Sequence, residues 1–186
     1  LHALGITGWQ DAWITPATLA AYHALADSGR LTARVVGALW WDRHSGLEQI
    51  DGFVEQRERG RAGSFFPTSV KIMTDGGLEN YTGGLLEPYF DGHGGATDNR
   101  GLTYVDPAVL RDAVTLLDAR GFQVHMHAIG DRAVRNCLDA VAAARQANGM
   151  NDLRHHIAHI QVIQPEDVPR FAELGVVANC QPYWAQ

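Results

Sequence analysis

Apolar runs of strand length alternate with helical stretches along all 186 residues of this chain, and that alternation points to an α/β architecture built on a parallel sheet. Residues 5–14, 31–41, 67–76, 122–130, 153–161 and 176–184 read as six strands. Residues 15–29, 47–61, 106–121, 131–149 and 164–175 read as the helices between them. Thr15 and Asp106 stand as N-caps, each followed by a proline at the first helical position, and Gly29 and Gly121 mark the stops. Leu47, Ile50, Phe53 and Val54 share one face of the second helix. Right-handed crossovers leave two arrangements, an open doubly wound sheet or a piece of a (β/α)8 barrel. The chain reads as one domain over residues 1–186, with both ends cut from something larger. One connection is long: residues 76–105 are glycine-rich with little periodicity. Loops beyond ~15 residues in a compact domain tend to be functional, and this one would lie over whatever the third strand presents.

Net charge is −6, with no basic run, so nucleic acid is a poor partner. No apolar stretch approaches the ~20 residues of a membrane span, and no signal peptide is visible. Cys137 and Cys180 have no CxxC spacing, which fits a reducing compartment and a cytoplasmic location.

Lys71 is the sole lysine, against fourteen arginines. It sits where the apolar run SVKIMTDGG ends and the long loop begins. Codon bias can leave one lysine by chance. Chemistry offers another reason: arginine stays protonated, whereas a buried amine can lose its proton, form a Schiff base or be carboxylated. Period-two alternation puts Ser69, Lys71, Met73 and Asp75 on one face. In the fourth strand His125 and His127 flank Met126 and share a face. In the fifth, alternation groups His155, Ile157, His159 and Gln161, with His156 pointing the other way. His155 and His156 read as solvated or helix-packing residues, and His159, nearest the strand end, as the better ligand. A lone strand histidine is as readily a core residue bonded to a carbonyl. Three consecutive strands ending in Lys, His and His suggest a divalent metal site, zinc by its donor set. A free ammonium would repel the ion, but the carbamate formed with carbon dioxide is an anionic ligand. A barrel using Lys71 as a Schiff-base amine is the competing chemistry.

The runs VKIMTDGGLENYTGGLLEPY, VHMHAIGDRAV, LRHHIAHIQ and ANCQPYW resemble the amidohydrolase superfamily. Within it they are most similar to metal-dependent hydrolases of the N-substituted formamide deformylase-like group (amidohydrolase family 3). The resemblance implies strands two to seven of a (β/α)8 TIM barrel. It implies Lys71, His127 and His159 as metal ligands on the fourth, fifth and sixth barrel strands. The first-strand HxH pair and the eighth-strand Asp, the usual proton shuttle, have no counterpart between Leu1 and Gln186. Many relatives carry Glu before the sixth-strand His, where this chain has Ala158. The implied activity is hydrolysis of a non-peptide carbon–nitrogen bond, in an amide or an N-formyl or N-acyl group, by metal-activated water. Asn80, Tyr81 and Thr82 would close one side of the pocket for this small-molecule substrate. Gln181, Tyr183 and Trp184 would line another. With half the family's ligands absent, the chain alone is expected to be catalytically inactive, and open barrel edges are expected to favour self-association.

Overall fold

Both predicted caps operate. Thr15 Oγ1 accepts the Thr18 amide at 3.3 Å at the start of α1 (Pro16–Asp27). Asp106 Oδ1 accepts the amides of Ala108 at 2.8 Å and Val109 at 3.3 Å at the start of α3 (Pro107–Ala119). The computed structural model describes residues 1–181 and 183. The chain divides into two compact units, Leu1–Lys71 and Ile72–Gln186, with the division inside strand β3 (Phe65–Met73).

In the first unit, β1 (Gly8–Ile14) pairs in parallel with β2 (Arg34–Trp40), and β2 with β3, in a register that sets Trp40 beside Lys71. Val35, Leu39, Phe65 and Val70 are fully buried between the strands and the flanking helices. Ile50 and Phe53 are the buried face of α2 (Gln49–Gly60), as the helical spacing predicted. Gly37 is a packing requirement, because a Cβ there would stand 2.7 Å from the Phe65 ring. Trp41 is buried against Phe53, and Trp40 stacks on Trp13 at 4.6 Å.

In the second unit, β4 (Gln123–Ala128), β5 (His156–His159) and β6 (Val177–Asn179) pair in parallel. Helices α3 and α4 (Asp131–Asn148) cover them, and α5 (Val168–Leu174) precedes β6. Leu110, Val114, Leu117, Val134, Leu138 and Val141 interdigitate with Phe122, Val124, Met126 and Ile157, all of them fully buried. The strand order β1-β2-β3-β4-β5-β6 follows the chain without reversal. A doubly wound sheet reverses its order at a switch point. The fold is therefore α/β, a partial (β/α)8 barrel.

The long connection is held by its own hydrogen bonds. Gly76 N donates to Thr82 O, Gly83 N to Gly77 O, Leu102 N to Thr82 O and Tyr104 N to Thr74 O, all within 3.1 Å. No helix among the described residues is long and apolar enough to cross a membrane.

Candidate metal-binding site

The end of β3 is fastened to the end of β4. The Thr74 amide and hydroxyl both donate to the His127 carbonyl. The next residue, Asp75, is fully buried and organises the mouth of the second unit. Its Oδ2 accepts the amides of Gly84 at 2.8 Å and Gly130 at 2.9 Å, and its Oδ1 accepts that of Ile129 at 3.0 Å. One carboxylate thus joins the long loop to the turn between β4 and α4. The Gly84 carbonyl caps α4 in return, accepting the amides of Arg132 and Ala133. The sequence reading placed Asp75 on a face but gave it no role. The signal was the DG pair at the strand exit, where a short acceptor side chain meets a turn.

His127 projects from the end of β4. Its Nε2 lies 3.0 Å from the Gly76 carbonyl and 3.3 Å from Asp75 Oδ1. His159 ends β5, with Nδ1 2.7 Å from Gln181 Oε1. The two rings meet edge to face, centroids 4.6 Å apart. A deeper pair, His125 and His156, is buried with centroids 4.0 Å apart, and His156 Nδ1 lies 3.1 Å from Asn179 Nδ2.

These contacts correct the alternation reading of β5. His156 points to the same side as His159, and His155 to the helix side. There His155 Nδ1 accepts the Val124 amide at 3.0 Å, and Nε2 lies 2.7 Å from Asp118 Oδ1. Alternation fails because His159 and Ile160 both have left-handed backbones, φ 84° and 53°. Such values are uncommon outside glycine, and in a β-branched residue they are a genuine outlier. Strain of this kind concentrates at functional sites.

A cavity of about 540 Å³ opens beside His127, lined by Gly76, Gly77, Glu79, Ile129, Gln161 and Tyr183 as well. Asn80, Tyr81 and Thr82 are not in its lining. Thr82 Oγ1 accepts the Gly77 amide and donates to Asn80 Oδ1. Tyr81 sits edge-on to Tyr89 at 5.3 Å, and its carbonyl accepts from Asn99. Their side chains shape the loop itself. Gln181 reaches His159, Tyr183 lines the cavity, and Trp184 lies outside the described residues. Lys71, 5% exposed, belongs to the first unit, where its carbonyl accepts the Trp41 amide at 2.9 Å.

No group of three or more His, Cys, Asp or Glu side chains able to hold a metal ion occurs among the described residues. The donor set fits a metal in part. Two imidazoles stand together at adjacent strand ends, each with one ring nitrogen engaged by an oxygen, which is how ligating histidines are oriented.

A model of the amidohydrolase family matches residues 1–186. The exoenzymes regulatory protein AepA of Pectobacterium carotovorum subsp. carotovorum is 31% identical over 188 residues, covering 99% of this chain and 39% of that protein. The Arabidopsis thaliana protein LONG AFTER FAR-RED 3 is 37% identical over 113 residues, 61% of this chain and 19% of that protein. The crystal structure of a metal-dependent hydrolase from Pyrococcus furiosus superposes with TM-score 0.76 at 26% identity, over 98% of this chain and 36% of that one. The chain thus spans well under half the length of these relatives.

Proposed function

Because the chain belongs to the amidohydrolase family, we propose that its barrel serves a metal-dependent hydrolase of carbon–nitrogen bonds other than peptide bonds. The proposed substrates are amides and N-formyl or N-acyl compounds, as in the deformylase-like group that the sequence resembles. The observation that carries this reading is the His127–His159 pair, 4.6 Å between rings, at the strand ends where barrel active sites lie.

His127 and His159 would hold a divalent ion, proposed as zinc. Lys71 joins them on the strength of the family resemblance, after its amine forms an N–C bond to carbon dioxide and loses a proton. When bound, the ion supplies a water acidified toward neutral pH. The chain's own part is orientation and enclosure. The Gly76 carbonyl and Asp75 hold His127, Gln181 holds His159, and Ile129 gives the cavity an apolar wall. Glu79 brings a carboxylate to the cavity lining.

Metal content per chain, by elemental analysis of the parent and of Lys71→Ala and His127→Ala, tests this. Near-stoichiometric zinc lost in both variants is the expected result. A folded, metal-free parent after growth in zinc would overturn it. That outcome would favour a second reading, a barrel without catalysis, which AepA's description as a regulatory protein supports.

A further inference from the structure

Strand β6 and its exit supply two amides to the histidines of β5. Gln181 Nε2 donates to the Asn179 carbonyl at 3.2 Å and approaches Asn179 Oδ1 at 3.4 Å. A backbone carbonyl only accepts, so the NH2 end of Gln181 faces Asn179 and its oxygen faces His159. That oxygen, 2.7 Å from His159 Nδ1, also only accepts, so Nδ1 carries the proton. The same logic continues inward, where Asn179 Nδ2 donates to His156 Nδ1 at 3.1 Å. The order His156–Asn179–Gln181–His159 is a relay in which each amide's orientation settles a ring's tautomer.

We propose that Gln181, oriented by Asn179, is a positioning residue that holds His159 as its Nδ1–H tautomer, with the lone pair on Nε2. This rests on the proposed function for its consequence: a metal ion at this mouth would take His159 through Nε2. His127 is set the opposite way. The Gly76 carbonyl accepts from Nε2, which leaves the Nδ1 lone pair. The two rings therefore offer different nitrogens, each chosen by a neighbour that cannot donate. The selectors of His127 are the Gly76 carbonyl and the Asp75 carboxylate, which lies 3.3 Å from the same nitrogen and also holds three backbone amides. The selector of His159 is a side chain that can be substituted.

The test uses the 186-residue chain labelled with 15N-histidine, stripped of metal and held near pH 8, above the ordinary histidine pKa of about 6.5. Long-range 1H–15N correlation spectra report which ring nitrogen bears hydrogen, and a His159→Gln variant identifies the signals among nine histidines. His159 is expected to show the Nδ1–H pattern in the parent and in Gln181→Glu, which keeps an acceptor. In Gln181→Leu it is expected to move toward the mixture of an unrestrained imidazole. An Nε2–H pattern in the parent, or an Nδ1–H pattern retained unchanged in Gln181→Leu, would overturn the proposal. Zinc affinity, by competition with a chromophoric chelator, should fall about tenfold or more in Gln181→Leu and be largely retained in Gln181→Glu. Equal affinities despite a shifted tautomer would sever positioning from ligation. A shifted tautomer with no zinc bound by any variant supports the positioning role and defeats the metal reading instead.

Discussion

His159 meets the ring of His127 although the sheet register sets it beside Ala128 and sets His127 beside Ala158. Regular pleating would turn the two imidazoles to opposite faces. The left-handed backbone at His159 and Ile160 brings them together. An alanine at either ring position keeps the strand but removes one of the pair. His127→Ala and His159→Ala are each expected to leave the thermal midpoint within a few degrees of the parent while abolishing zinc uptake. A large drop in midpoint would instead assign the pair to packing.

Asp75 is the residue whose loss should cost most. Asp75→Ala leaves the amides of Gly84, Ile129 and Gly130 without their acceptor in a buried place. At roughly 1–3 kcal/mol for each orphaned group, the loss should reach about 3 kcal/mol or more. Asn at this position keeps one acceptor oxygen and should fall between the two. Urea midpoints measure the effect, and an unchanged denaturant slope would show that the unfolded state is not the cause.

Gly130 lets the long loop close onto α4. A Cβ there would stand 2.2 Å from the Gly84 carbonyl oxygen, the group that caps the helix. Gly130→Ala should destabilise by about 1–3 kcal/mol, the usual range for overpacking. Amide exchange should quicken selectively over residues 76–105. Uniform protection in the variant would show that the loop is held independently of this contact.

His155 makes stability depend on pH near neutrality. Its Nδ1 accepts the Val124 amide, so the folded ring is neutral. Burial pushes its pKa down, more strongly than the hydrogen bond to Asp118 draws it up. Between that lowered value and the ordinary one near 6.5 the unfolded chain binds more protons than the folded one. His155's stability contribution is therefore full above about pH 6.5 and declines as pH falls below it. Asp118 acts in a different window. Burial raises its pKa, but hydrogen bonds from Asn151, Asn148 and His155 outweigh that and leave it lowered. Its contribution is present above about pH 3.9 and is lost only as pH falls through its folded value. Unfolding free energies at pH 8 and pH 5 should differ more in the parent than in His155→Gln. Equal differences would exclude His155 as the group responsible.

Self-association is proposed through β1 and β6, the outermost strands in the sheet order among the described residues. Exposed parallel edges invite pairing. Size-exclusion over a hundredfold concentration range should show a rising apparent mass, and a constant monomer would refute this.

Six strands, the helices between them and the caps at Thr15 and Asp106 were legible in the sequence because each is a local pattern. Apolar spacing of two or of three to four follows from the backbone period itself. The same locality brought His127 and His159 to strand ends and Lys71 to the end of the third strand. What the tertiary structure decided depends on groups far apart in sequence. The role of Asp75 needs Ile129 and Gly130, 54 and 55 residues away. The sides taken by His155 and His156 follow from a buried acceptor on α3 and a neighbouring ring on β4. The His127–His159 contact rests on two left-handed residues that alternation cannot foresee, because a strained backbone is held by its surroundings and not by its own sequence.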